Sequence, residues 1–242
     1  MRRFFSEIVE VSQGRITLSD KDTVHHIRDV LRLQKNDGLI VFDKTGHEYI
    51  GEIEKLSERH IILRVKEKKG GRLQKTFSLT FACAIPKNSR MDDIIDKLTQ
   101  LGVDRMIPCK TKHTVVAFDR QKAIARHERW NKIGRSASEQ SKRNTVPVID
   151  PVKDFRELIC EAKNFDLKLI PTLRGRRVRL KDALRAKPPK NMLVVIGPEG
   201  DFSEEEVRLA RAAGFIPVSL GERVLRVETA AVAVASYIKL ST

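Results

Sequence analysis

Hydrophobic and polar positions change rhythm once along this chain. Up to about residue 70 they alternate. Ile8-Val9-Glu10-Val11 and Arg15-Ile16-Thr17-Leu18 lie either side of Ser12-Gln13-Gly14, and Leu39 to Phe42, Glu48 to Ile53 and His60 to Val65 are further short runs between turn signals. A period of two predicts half-buried strands. One stretch departs from it: after a cap at Ser19 or Asp20, Val24, Ile27, Val30 and Leu31 fall on one helical face. Five or so short strands around one helix predict a small β-barrel. Lys68-Lys69-Gly70-Gly71-Arg72, charged and glycine-bearing, reads as the linker that ends it.

Beyond that point strand and helix signals alternate. Phe77 to Ile85 is a continuous apolar-rich run, as expected of a strand buried on both faces. Met91, Ile94, Ile95, Leu98 and Leu101 keep helical spacing up to Gly102, a helix stop. Strand candidates at Val103–Pro108, Asp166–Pro171, Leu193–Ile196 and Phe215–Leu220 are interleaved with helix candidates at 120–142, 153–163, 204–213 and 227–240. This predicts an α/β domain on a mainly parallel sheet. The expected domains are residues 1–70 and 76–242.

Two of these strands end in glycine-bearing loops, Gly197-Pro198-Glu199-Gly200 and Leu220-Gly221-Glu222-Arg223. In an open parallel sheet such loops sit side by side at the carboxyl ends of the strands, where ligands bind. Any one of them could equally be a tight turn; two at neighbouring strand ends favour a pocket. Neither a Gly-x-x-x-x-Gly-Lys-Ser/Thr loop nor a Gly-x-Gly-x-x-Gly turn is present, which argues against a nucleoside triphosphate or a nicotinamide cofactor. The helix after the first loop points the same way. Ser203 and Glu206 form a capping box, and Glu204, Glu205 and Glu206 occupy the end of the helix dipole that a phosphate would need. A ligand with an adenine, a ribose and a cationic centre but no phosphate fits better, and S-adenosylmethionine is such a ligand. Arg223, Arg226 and Glu228 lie in an apolar setting, so they either pair or face a cleft. The last helix, small-residue-rich over 230–235, is expected to pack closely on the sheet or on a second subunit.

Charge adds a second partner. Lys and Arg number 47 against 32 Asp and Glu, a net +15. Residues 101–190 hold 23 of the basic and only 10 of the acidic residues, including the dense loop Arg174-Gly175-Arg176-Arg177-Val178-Arg179. A surface for a polyanion is the functional reading, and solvated helix faces are the plainer one. Arg28 and Arg32, four apart on the first helix, could meet a phosphate together. His25 and His26 are adjacent, cannot share a helix face and are not a metal pair; no metal is expected. Cys83, Cys109 and Cys160 show neither metal nor disulfide spacing and read as free thiols of a reducing cytoplasm. No run of eighteen apolar residues suggests a membrane helix.

Taken together, these residues carry a signature. Ile196-Gly197-Pro198-Glu199-Gly200 with Phe202-Ser203-x-x-Glu206, then Leu220-Gly221-x-Arg223-x-Leu225-Arg226-x-Glu228-Thr229-Ala230, resembles the RsmE family, SPOUT-superfamily methyltransferases acting on uridine N3 of 16S ribosomal RNA. Val24-His25-His26 with Val30-Leu31-Arg32, Lys97 with Leu101-Gly102-Val103, and Ala137-x-Glu139-Gln140-Ser141-x-Arg143 with Pro147 are similar to further segments of that family. The resemblance implies a PUA-like RNA-binding barrel followed by a SPOUT-type parallel sheet tied in a trefoil knot, a bent S-adenosylmethionine in the knot loops, and an active site at a homodimer interface. It implies cofactor contacts from Leu173, Ile196, Gly197, Glu199, Gly200, Leu220, Gly221 and Leu225. Arg223, Arg226 and Glu228 are the catalytic candidates. Arg28, Arg32, Lys87, Arg90, Arg143, Arg174, Arg176 and Arg177 are the candidates for gripping 16S rRNA in the 30S subunit. Asp201, Val227 and Gln100 stand where the family usually has Gly, Thr and Glu. Ribose 2′-O methylation on the same scaffold and a non-catalytic rRNA-binding assembly factor are the alternatives.

Overall fold

The computed structural model describes residues 1–7, 9–71, 77–87, 90–114, 120–185 and 189–241. Ile8 and Arg72, counted above in a strand and in the linker, and the expected boundary at residue 76 lie outside them. The chain forms two compact units, one comprising residues 1–74 with 138–146 and the other residues 75–137 with 147–242.

The first unit is a six-stranded sheet in the order β1-β4-β5-β6-β3-β2. Its strands are β1 (Arg2–Ser6), β2 (Val11–Ser12), β3 (Arg15–Leu18), β4 (Gly38–Asp43), β5 (His47–Leu56) and β6 (Ile61–Gly70). Most neighbours are antiparallel, but β1 runs parallel to β4. Alternation does not reveal β1, because Phe4 and Phe5 are both buried. Phe4 enters the core while Phe5 packs against Phe42 at 5.6 Å between ring centroids. The expected linker is also shorter than its composition suggests: Lys68, Lys69 and Gly70 continue β6 and pair with Tyr49, Glu48 and His47. Residues 138–146 belong to this unit through side chains the sequence could not connect to it. Phe5 N donates to Glu139 Oε1 (2.9 Å), and Arg3 Nη2 to Asn144 Oδ1 (2.7 Å).

Helix α1 (Lys21–His25) starts at Asp20, whose carboxylate accepts from Thr23 N at 2.9 Å. It then widens into a π-turn over His26–Val30, closed by Leu31 N donating to His26 O at 2.9 Å. The extra residue in the turn rotates the next side chains out of α-helical phase. Val24 and Ile27 reach the core as expected, but Val30 is 59% exposed. Arg32 lies past the helix in a left-handed conformation (φ 51°), so it does not share an α-helical face with Arg28.

The second unit is an eight-stranded sheet in which every ladder is parallel. Its strands are β7 (Ser78–Ala84), β8 (Arg105–Lys110), β9 (Val148–Ile149), β10 (Lys153–Asp154), β11 (Leu167–Pro171), β12 (Val178–Arg179), β13 (Asn191–Ile196) and β14 (Ile216–Ser219). They are ordered β10-β8-β7-β13-β11-β14-β12, with β9 also on β8. The helices are α2 (Arg90–Gln100), α3 (Arg120–Gln140), α4 (Phe155–Glu161), α5 (Leu180–Ala183), α6 (Glu204–Ala212) and α7 (Val227–Ser241). Side chains alternating along the central strands fill one core on each face. The Asp92 carboxylate ties α2 to α3, accepting from Arg129 Nε (2.8 Å) and Trp130 Nε1 (3.1 Å). From β14, near one edge, the chain recrosses the sheet so that α7 packs on α2 over β7 and β13, the return path that a knot needs. Its small residues Ala230, Ala231 and Ala235 are buried there.

Candidate active site

Strand order corrects one expectation about the site. β13 and β14 are not neighbours; β11 lies between them. The two glycine-bearing loops are therefore joined at the carboxyl end of the sheet by a third, residues 172–177 after β11. Together the three line a cleft that opens to solvent. Pro171 comes from the end of β11 and Ile196 from the end of β13, Thr172, Leu173 and Arg177 from the middle loop, Gly197 to Glu199 and Asp201 from the β13 loop, and Leu220, Gly221, Arg223, Val224 and Leu225 from the β14 loop. Val227 and Ala230 of α7 close the cleft with apolar surface.

Of the expected cofactor contacts, Leu173, Ile196, Gly197, Glu199, Leu220, Gly221 and Leu225 line the cleft, and Gly200 stands just behind it against His113. The glycines differ in purpose. A Cβ at Gly197 would stand 2.7 Å from Cε2 of the buried Phe202, so this glycine serves the packing of a neighbouring ring. Gly221 has nothing within 4 Å of such a Cβ but a φ of 113°, which an L side chain rarely adopts.

Asp201 departs from the family pattern without disrupting the loop. Its φ is 58°, a conformation open to glycine that Asp tolerates. Its Oδ2 accepts from Thr172 Oγ1 and Leu173 N, both at 3.0 Å. The carboxylate thus fastens the middle loop to the β13 loop. A further clasp was not legible in the sequence. His113 Nδ1 donates to Asp201 O (2.8 Å), and Lys112 N donates to Glu206 Oε1 (2.8 Å). Glu206 also completes the expected capping box, accepting from Ser203 N at 2.8 Å. Val227, the other departure in the signature, is buried at the first position of α7, so an apolar contact replaces the hydroxyl.

The catalytic candidates separate. Arg223 lines the cleft and is exposed; Arg226 is also exposed but does not line it. Glu228 does not orient either of them in the described contacts. Its carboxylate lies 3.8 Å from Arg90 Nη1, and the same nitrogen is 4.0 Å from Glu199. Oε2 of Glu228 is buried and has no hydrogen-bond partner among the described residues. A buried carboxylate oxygen left this way is costly unless a ligand or ion supplies a donor.

The RNA-contact candidates divide between the units. In the first, Arg28 binds Asp29 through Nε (2.7 Å), which holds the Asp29 carboxyl down at about 2, and Arg143 Nε donates to Thr145 Oγ1 (3.1 Å). Arg32 is exposed. In the second, Lys87 and Arg176 are exposed. Arg90 is engaged by the two glutamates, Arg174 sits 3.9 Å from Asp201 and 3.6 Å from Glu204, and Arg177 Nη1 donates to Thr172 O (3.2 Å). Part of the basic charge of 101–190 is also structural. Arg105 and Lys153 share Asp150 and Glu161 between β8, β10 and α4.

Burial pushes the Cys83 thiol up to about 12 and raises that of Cys109, so neither supplies a thiolate at neutral pH. Cys160 is exposed. Among the described residues no three His, Cys, Asp or Glu side chains gather to hold a metal, and no helix is long and apolar enough to cross a membrane.

A parallel sheet with a three-loop cleft, in a chain that also carries a small β-unit, defines a class. Residues 73–239 match the model of the RNA methyltransferase domain, and residues 18–66 match that of the RNA methyltransferase PUA domain. Over 249 residues the chain is 30% identical to Ribosomal RNA small subunit methyltransferase E of Bacillus subtilis (strain 168), covering 100% of this chain and 97% of that protein. The crystal structure of a Ribosomal RNA small subunit methyltransferase E from Neisseria gonorrhoeae bound to S-adenosyl methionine superposes with a TM-score of 0.87 at 30% identity, covering 100% and 98% of the two chains. A Legionella pneumophila protein solved in complex with the bound cofactor SAM gives 0.89 at 30% identity, covering 99% and 97%. The chain belongs to the ribosomal RNA small subunit methyltransferase E family.

Proposed function

We propose that this protein transfers a methyl group from S-adenosylmethionine to N3 of a uridine in 16S rRNA. The observation that carries this reading is the cleft at the carboxyl ends of β11, β13 and β14, built from the loops that bear the family signature. The residues present fit the cofactor. Ile196, Leu220, Leu225, Val227 and Ala230 offer apolar walls, the loop backbones offer amide and carbonyl groups for an adenine edge, and Glu199 suits a cationic ligand. The acidic first turn of α6 disfavours a phosphate-bearing one.

When bound, the cofactor supplies an electrophilic methyl on a sulfonium. The protein must then hold the uracil edge in line with it and stabilise the anion that grows as the N3 proton passes to solvent water. Arg223, exposed on the cleft wall, is the donor we assign to the uracil carbonyl, with Arg226 beside it, by the logic of an oxyanion hole. Glu228 does not line the cleft and is joined to it through Arg90, whose Nη1 lies 3.8 Å from Glu228 and 4.0 Å from Glu199. The target base has to leave its stack to reach such a cleft. A homodimer, which the family implies, is supported by the exposed Tyr237 and Leu240 of α7 and is read by sedimentation. A cytoplasmic location is consistent with the free thiols.

The test joins calorimetric titration of S-adenosylmethionine with methylation of undermodified 30S subunits and free 16S rRNA. The reading requires cofactor binding and a methylated uridine that stops reverse transcriptase at one position. A ribose 2′-O methyl would stop the enzyme only weakly, and absence of cofactor binding would leave the assembly-factor reading instead.

A further inference from the structure

Behind the middle loop lies a second groove, formed by Arg174 and Gly175 on one side and Glu204, Val207, Arg208 and Arg211 of α6 on the other. Three guanidinium groups line it against one carboxylate, and a second carboxylate outside it, that of Asp201, lies 3.9 Å from Arg174. The lining carboxylate, Glu204, is 3.6 Å from Arg174 Nη1 and 90% exposed. The other glutamates of the first turn are engaged elsewhere: Glu205 accepts from Arg156 Nη2 (2.8 Å), and Glu206 is buried in the cap. Arg208 and Arg211 are three residues apart, hence neighbours on one helix face.

The groove is built rather than incidental. Arg211 Nη2 donates to Arg176 O at 2.8 Å, laying the guanidinium across the loop. Gly175, at φ 64°, makes room for it, because a Cβ there would stand 2.9 Å from Arg211 Nη2. Fixing one N–H of Arg211 in this way leaves its other donors available and pre-orients them. Like charges gathered on a rigid frame repel until an anion joins them. Val207 is the apolar member, and among the described residues no aromatic ring lines the groove, so these residues offer no platform for a stacked base. The chemistry left is that of a sugar-phosphate backbone met by forked guanidiniums.

We propose that Arg174, Arg208 and Arg211 form a phosphate clamp for the rRNA strand adjoining the target nucleotide. The clamp rests on the methyltransferase reading for its choice of strand. The same loop supplies both sites, since Thr172, Leu173 and Arg177 line the cofactor cleft while Arg174 and Gly175 line the groove. A backbone held in the groove therefore fixes the register of the neighbouring base against the cleft.

The experiment measures binding of the full-length protein to a 16S rRNA transcript as a function of salt, for the wild type, Arg208→Gln, Arg211→Lys and Arg208→Gln/Arg211→Gln. Each lost phosphate contact should reduce the slope of log affinity against log salt by about 1. The double variant should show a raised KM for RNA, a retained kcat at saturating RNA and an unchanged affinity for S-adenosylmethionine. Arg211→Lys, which keeps the charge, should keep most of the slope. Wild-type slope and affinity in the double variant would overturn the clamp. If that variant does not fold, Arg208→Gln decides alone, since nothing described depends on its side chain. A wild type that binds rRNA but not S-adenosylmethionine would sink the methyltransferase reading, and the slopes would still decide the groove.

Discussion

A methyl group added at Gly197 has nowhere to go except into the ring of Phe202, which is fully buried between the β13 loop and α4. Gly197→Ala should therefore cost about 1–3 kcal/mol, the usual penalty of overpacking, read as a fall in Tm with cofactor affinity falling alongside. A melting temperature equal to that of the wild type would show that the ring yields freely. At the reacting end, Arg223→Ala should lower kcat by about 10²-fold, the scale on which loss of one anion-stabilising donor acts, with calorimetry finding cofactor binding largely intact. Arg226→Ala tests the neighbouring candidate in the same way, and undiminished turnover removes that residue from the mechanism. The signature residues were legible because their types and spacing are local. The partners of Arg90 and Asp201 were not. Both carry charges that sequence can only label as basic or acidic, and both are settled by residues far along the chain: Glu199 and Glu228 for one, Thr172 and Leu173 for the other.

Elements were readable where one rule governs a long stretch. The buried strand β7, the apolar stripe of α2 and the capped start of α6 come from period, spacing and cap chemistry. The failures share a cause, which is a local geometry that shifts the period or hides it. The π-turn at His26–Val30 moves Val30 to the surface and separates Arg28 from Arg32. β1 buries consecutive phenylalanines, and β9, β10 and β12, at two residues each, are too short to show a period. The cap of α6 gives a test at this scale. Ser203→Ala removes the acceptor for Glu206 N and should cost about 1 kcal/mol, a drop in Tm of roughly 2–4 °C for a chain of this size. Because Glu206 also accepts from Lys112 N, hydrogen exchange at Lys112 should quicken in the same variant. Unchanged exchange there would mean the clasp does not depend on the cap.

Across the whole molecule, net charge misled in one respect. A block of basic residues read as a polyanion surface includes members that hold the second sheet together. Burial pushes the Asp150 carboxyl up, but hydrogen bonds from Arg105 and Lys153 outweigh it and hold it below the ordinary range. Glu161 is held down chiefly by its hydrogen bond from Lys153. Depressed carboxyl values contribute stability that is complete above the unfolded values, about 3.9 for Asp and 4.3 for Glu, and is lost as pH falls through the folded ones. In Arg105→Gln, burial acts on Asp150 with less opposition, so its folded value rises toward the unfolded one, its acid-labile contribution shrinks and the acid limb of the stability curve should become shallower. At neutral pH the variant should lose on the order of 1–3 kcal/mol for an under-satisfied buried carboxylate, measured by urea unfolding across pH. A curve that coincides with that of the wild type would show the network to be a surface feature. The elevated values of Arg105 and Lys153 work in the opposite sense, adding stability that is lost only in strong alkali.

Asp201 has a consequence in time as well as in space. With glycine at this position, the chain between Thr172 and Arg174 would have no carboxylate to rest on, and an arriving ligand would have to immobilise that segment itself. Here the segment is already fastened at both the Thr172 hydroxyl and the Leu173 amide, so the ordering cost is met during folding. The gain should appear in how long the ligand stays rather than how fast it arrives. Asp201→Gly keeps the backbone conformation while removing the fastening. It should shorten the residence time of S-adenosylmethionine, make its binding entropy less favourable and leave the association rate nearly unchanged, all of which stopped-flow and calorimetry can separate.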